Sequence, residues 1–167
     1  MRELARFKVE IDGLGFIIYS PFATAHIAEG ERYLGAKFWE PEDVARHVRA
    51  GTLTAFCTGS PGAYDIRVVE AALVWPLHAQ YRWWIKLALE VRDRTVCIRD
   101  LYDLQPWSAA CPAGQSIALD DGYYDVAVGT DADTLGDDQE IVISFRRVEQ
   151  LPQVTWEGVP FLGAEEE

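Results

Sequence analysis

The chain has 167 residues, 49% hydrophobic and 25% charged, and its 27 Asp and Glu outweigh 15 Lys and Arg to leave a net charge of −12. Aromatic residues make up 12%, too apolar a texture for a disordered chain, and the length suffices for one core-bearing domain over residues 1–163. An acidic excess of this size disfavours nucleic acid and anionic membrane as partners and favours cations and basic proteins.

Period-two patterns dominate from the start. In Ala5 to Ile11, Phe7, Val9 and Ile11 alternate with Arg6, Lys8 and Glu10, the mark of a half-buried strand. A break at Gly13–Gly15 precedes a second strand, Phe16 to Tyr19, ended by Ser20-Pro21. The stretch 22–38 has no clear period. One short helix is expected near residues 41–50: Pro41 suits its first turn, Glu42 and Asp43 its positive end, and Gly51 stops it after His47 and Arg49. Its narrow stripe of Val44 and Val48 must lean on a sheet.

Strand then follows strand. Thr52 to Cys57 leads through the turn Gly59-Ser60-Pro61-Gly62 to Tyr64 to Leu73. Trp83 to Val91 alternates clearly, and the turn Asp93-Arg94 joins it to Thr95 to Leu101 in what reads as a hairpin. Gln115 to Leu119, Tyr123 to Thr130 and Glu140 to Val148 complete the set, the last so apolar on both faces that it belongs in the centre of a sheet. A tail, Pro152 to Gly163, is expected to be held by Trp156 and Phe161, with residues 164–167 frayed. The class is mainly β: an antiparallel, barrel-like β-sandwich with one helix.

Charge is unevenly spread. Up to Trp84 there are 10 acids and 9 bases; beyond it there are 17 acids and 6 bases, a net of −11. From Asp120 to Glu140 eight carboxylates run without a single Lys, Arg or His. Within that run Asp131, Asp133 and Gly136 fit positions one, three and six of a calcium-binding EF-hand loop. Leu135 and Val142 occupy positions five and twelve, where oxygen ligands are required, so the match fails. It reads better as a hairpin anchored by Tyr124, Val126, Ile141 and Ile143, with a solvated acidic tip from Asp131 to Asp138.

No catalytic constellation appears. His26, His47 and His78 have no HxH or HExxH partner, and His47 near a helix end suits the dipole as a cation. Cys57, Cys97 and Cys111 are odd in number and widely spaced, consistent with buried thiols of a cytosolic protein. Ser20 and Ser60 lack a nucleophile-elbow context, and Gly13-Leu14-Gly15 lacks the third glycine of a dinucleotide site. No cofactor or metal is expected. The N-terminal segment has no apolar stretch of the signal-peptide kind, and no window is long enough to span a bilayer.

The tryptophans divide differently. Alternation puts Trp83 and Trp84 on opposite faces, so one is exposed, while Trp107 lies after Pro106 in a loop-like segment. Exposed aromatic rings beside carboxylates make interface anchors for a basic partner. The expected partner-binding residues are therefore Asp120, Asp121, Tyr123, Asp131, Asp133, Asp137, Asp138 and Trp107.

From Phe38 to Val148 the order of elements resembles the small bacterial nuclease inhibitors typified by competence protein J. The likeness rests on Trp39-Glu40-Pro41-Glu42 opening a helix, the strands Leu53 to Phe56, Ile66 to Val69 and Leu89 to Val91, then Ser116 to Val126, an acidic loop and Ile141 to Val148. What it implies is a cytosolic, non-enzymatic immunity protein that covers the cationic cleft of a nuclease toxin. The alternative is a β-sandwich binding calcium or a small ligand through its Asp-rich loop.

Overall fold

The alternating segments become two open sheets. The computed structural model describes residues 2–71, 80–154 and 158–163. Among them run β1 (Arg2–Ile11), β2 (Gly15–Tyr19), α1 (Tyr33–Lys37), α2 (Pro41–Ala50), β3 (Leu53–Cys57), β4 (Gly62–Glu70), β5 (Trp83–Val91), β6 (Thr95–Asp100), β7 (Ser116–Ala118), β8 (Gly122–Thr130) and β9 (Glu140–Val148). Short 3-10 turns lie at Pro21–Thr24 and Leu101–Leu104. One sheet has the order β1-β4-β9-β8-β5 and the other β3-β2-β6-β7, a sandwich as the sequence implies. Among the differences from the expectation, β4 and β9 are parallel, and α1 is a second helix from the stretch without a clear period.

Three layers result. Between the sheets pack Val9, Ile11, Phe16, Ile18, Phe56, Tyr64, Leu87, Val126, Ile143 and Phe145, each worth about 1.5–3 kcal/mol on leaving water. The far face of the smaller sheet carries Ile17, Tyr19, Leu53 and Cys97, and the helices cover it with Tyr33, Leu34, Phe38, Val44 and Val48. Buried on both faces, β2 carries a single polar side-chain group, the Tyr19 hydroxyl, which has its own partner in Arg99. Strand β9 sits at the centre of its sheet as its composition demands.

Strands β5 and β6 do not form the expected hairpin; they belong to different sheets. Asp93 (φ 56°) and Arg94 (φ 53°) do make a tight reversal, with the Thr95 N–H to the Arg92 carbonyl at 3.4 Å. Leu87, Leu89 and Val91 of β5, however, meet Val96 and Ile98 of β6 across the core, and a flat hairpin would put the two sets side by side. Buried Ser20 secures the crossing: its Oγ accepts the Arg92 N–H at 3.1 Å and lies 2.8 and 2.7 Å from the carbonyl oxygens of Arg92 and Thr95. That hydroxyl is structural.

Helix α2 follows its sequence signals, from Pro41 to the left-handed Gly51 (φ 70°), whose carbonyl accepts the Glu90 N–H at 2.9 Å and fastens the helix to β5. His47 is not the exposed cation that the dipole would favour. Its Nδ1–H donates to the Asp43 carbonyl at 2.7 Å, Nε2 accepts the Tyr33 hydroxyl at 2.5 Å, and Phe38 packs edge-on against the ring. Burial, reinforced by the charges of Arg46 and His26, pushes its pKa below the ordinary 6.5. The unfolded chain then binds more protons than the folded one in the window below 6.5, so this contribution is complete above that pH and is lost as pH falls toward the depressed value. The expected result is a thermal midpoint that drops between neutral and mildly acidic pH, with a smaller drop in His47→Gln. Equal drops in both proteins count against it.

The tail is held at Phe161, as expected, and also at Leu162. Leu162 is fully buried, its N–H donates to the Cys57 carbonyl at 2.8 Å, and the Cys57 N–H donates to Pro160 at 2.8 Å. Phe161 lies over Gly59, where a Cβ would come within 2.8 Å of its ring. Trp75, His78, Trp156 and residues 164–167 lie outside the described residues, as does the expected end of β4 at Leu73.

Candidate protein-binding surface

The acidic run folds as the hairpin β8–β9, with Tyr124, Val126, Ile141 and Ile143 buried. Its tip is fastened at many points. Leu135, 5% exposed, plugs the inter-sheet core in the middle of the loop, which explains an apolar residue among so many acids. Asp131 accepts the Arg82 N–H at 3.0 Å, and Asp137 accepts the Ala63 N–H at 2.8 Å. Asp133 pairs with the Arg82 guanidinium. Asp138 meets Lys8 Nζ at 2.6 Å, and Lys8 also reaches Asp65 at 3.7 Å. Both carboxylates raise the Lys8 pKa, the Asp138 hydrogen bond most. Pairs this exposed are screened by water and salt and add little stability. The carboxylates of Asp65, Asp131, Asp133, Asp137, Asp138 and Glu140 still outnumber the cations beside them, so the tip remains a negative pole. Among the described residues no group of three or more His, Cys, Asp or Glu is placed to hold a metal ion.

Asp120, Asp121 and Tyr123 do not join that pole. They sit at the opposite end of β8, about 30 Å away at roughly 3.3 Å per residue. There Asp121 accepts the Arg94 N–H at 2.9 Å, Asp120 stands 3.8 Å from the Arg94 guanidinium, and Tyr123 is exposed. Between the two ends Asp125 is buried and paired with Arg146 at 2.8 Å and Lys86 at 3.3 Å. The expected surface is two separate patches.

Trp107 is a correction. It is 2% exposed, with the Arg99 guanidinium 4.7 Å above its ring and Tyr19 edge-on at 5.6 Å. Its loop is clamped by backbone bonds, Trp107 N–H to Glu31 at 3.0 Å and Gly30 N–H to Trp107 at 2.7 Å. A ring so enclosed anchors the core, not a partner. Trp84 is the exposed member of its pair. Burial pushes the Cys111 thiol up to about 12 and raises that of Cys57, so neither supplies a thiolate at neutral pH.

The most exposed large apolar side chain among the described residues escaped the sequence reading. Trp39 is 66% exposed on the link between α1 and α2 and, with Tyr102 (45% exposed), lines a groove of about 550 Å³ floored by Leu34, Gly35 and Gln105. The available signal was the pair Phe38-Trp39 between two helices: Phe38 fills the core, and the next side chain must turn outward.

Two solved structures share this fold. One, described as ComJ, inhibitor of the DNA degrading activity of NucA, from Bacillus subtilis, aligns with a TM-score of 0.55 at 13% identity over 88% of this chain and 98% of that chain. Another, described as crocagin biosynthetic gene J, aligns at 0.57 and 10% identity over 88% and 98%. The resemblance read from the order of strands is thereby shown at the level of fold. No protein family and no curated protein matches the chain by sequence.

Proposed function

We propose that this protein is a non-enzymatic inhibitor that binds and neutralises a cognate bacterial nuclease in the cytosol, as an immunity protein does for a toxin. The observation that supports it most is a net charge of −12, nearly all of it beyond Trp84, carried on the fold of ComJ, whose description is that of a nuclease inhibitor. A nuclease binds phosphate and so presents a cationic cleft, to which an acidic domain is attracted over long range. The test is the DNase activity of a nuclease encoded beside this gene, assayed with and without the protein. Stoichiometric loss of activity is expected; full activity at excess inhibitor overturns the reading.

The hairpin tip has a defined part in it. Replacing Asp131, Asp133, Asp137 and Asp138 together with Asn keeps an oxygen acceptor for the Arg82 and Ala63 N–H groups and removes only charge. Association with the nuclease is expected to slow by about tenfold at low salt and to lose much of its salt dependence, as stopped-flow mixing would show. Unchanged kinetics would place the steering charge elsewhere.

A further inference from the structure

We infer that the groove between Trp39 and Tyr102 is where this inhibitor grips its partner, receiving an arginine-bearing loop of the basic nuclease. The inference rests on the inhibitor reading and adds the contact surface that the acidic hairpin does not provide.

The Tyr102 wall is tied into the fold. Tyr102 projects from the Leu101–Leu104 turn while Leu101 and Leu104 point into the core. Its N–H is held by Asp100 Oδ1 at 3.0 Å, and its ring lies so close over Gly13 that a Cβ there would approach it to 2.8 Å. Trp39 stands on the short link between buried Phe38 and Pro41, the first residue of α2. Gln105 Oε1 accepts the Gly35 N–H at 3.3 Å and ties α1 to the turn across the floor. Rigid aromatic anchors lining a concavity give the most binding free energy for the least ordering cost. Leu14, next to Gly13, extends the exposed apolar surface beside Tyr102.

Charge selects the occupant. Asp12 and Asp103 lie beside Tyr102, with Glu40 next to Trp39. Asp100 between them is buried and holds the Asp12, Gly13 and Tyr102 N–H groups, so Asp12 and Glu40 are the exposed carboxylates. The cation within that group, Arg99, is buried and committed to Asp103 at 3.0 Å, to the Tyr19 hydroxyl at 2.9 Å and to the Ser108 carbonyl at 2.8 Å. Burial raises the Asp103 pKa, the Arg99 guanidinium opposes it, and the charges of Asp100 and Asp12 add to the rise. Lys37 turns its ammonium toward Tyr33, 5.9 Å from that ring. A planar guanidinium stacks on Trp and Tyr faces and pairs with carboxylates, which a hydrated ammonium does less well.

The hairpin tip lacks these features. Its large exposed ring among the described residues is Trp84, which stands level with Gly129 on the face of a strand. The tip steers and the groove holds.

Dissociation kinetics separate the two roles. The double variant Trp39→Ala/Tyr102→Ala alters exposed side chains and is expected to keep the wild-type circular dichroism spectrum and melting temperature. Its complex with the nuclease should dissociate about 100-fold faster, with an association rate within about threefold of wild type. Trp84→Ala should leave dissociation within about threefold. Wild-type dissociation by the folded double variant, or a Trp84→Ala complex that falls apart as fast as predicted for the groove variant, overturns this inference while inhibition by the wild type keeps the reading beneath it. No inhibition by the wild type overturns both.

Discussion

Arg99→Ala is expected to destabilise the fold by about 3–5 kcal/mol, the usual loss when one partner of a buried charged network is removed. Arg99 lies on β6 under the helical layer, and its guanidinium does four things: it pairs with Asp103, donates to the Tyr19 hydroxyl and the Ser108 carbonyl, and stacks on Trp107. Asp103 is partly exposed and can turn to water, but Tyr19 is buried, and its hydroxyl would lose this partner. Urea denaturation should show the loss as a lower midpoint at unchanged slope. Arg99→Lys should recover little of it, because an ammonium cannot fork between three oxygens and stack as well. Adding Tyr19→Phe to Arg99→Ala should cost less than the separate losses combined, by a coupling of about 0.5–3 kcal/mol. A single-variant loss under about 1 kcal/mol would mean that the network is decorative.

Leu135→Ala is expected to cost about 2–5 kcal/mol, large for a residue in the middle of a surface loop. The side chain is the plug by which the acidic tip enters the core, and removing three carbons leaves a void where the surrounding strands cannot close in. The tip should loosen along with it. The Ala63, Arg82 and Asp138 amides, whose hydrogen bonds tie the loop to β4 and to the start of β5, should exchange with solvent faster in the variant than in the wild type. Charge is untouched, so a slower association with the nuclease in this variant would show that the negative pole must be ordered as well as present. Protection factors equal to wild type at those amides would mean that the loop is held by its ion pairs alone.

Legibility in the sequence tracked how local each determinant was. Helix α2 was readable because Pro41, Glu42, Asp43 and Gly51 act within their own turn. Strand β9 was readable because Val142 and Ile143 leave it no solvent face. The turn at Asp93-Arg94 was readable as a turn but not as a crossing, because a reversal says nothing about which sheet the next strand joins; that was decided by Val96 and Ile98 facing β5 across the core. Trp107 looked exposed beside Pro106 because the residues that enclose it, Tyr19 and Arg99, are distant in sequence. The candidate site was half legible. Its charge was plain from composition, whereas the separation of the acidic run into two ends of β8, and the pairing of Trp39 with Tyr102, arise only when strands and turns far apart in the chain are brought together.

The parallel pairing of β4 with β9 has a consequence for how the chain comes into being. The strand at the centre of the larger sheet is the last of the described strands to leave the ribosome. Until it arrives, β4 and β8 each present an open edge on the side that β9 will occupy, and both are rich in apolar residues. Synthesis thus ends by inserting a keystone between two waiting halves, a long-range closure that is slow by nature. The same two edges would accept a β9 from a neighbouring nascent chain as readily as their own, so this protein's main hazard lies in crowded synthesis and not in its finished state.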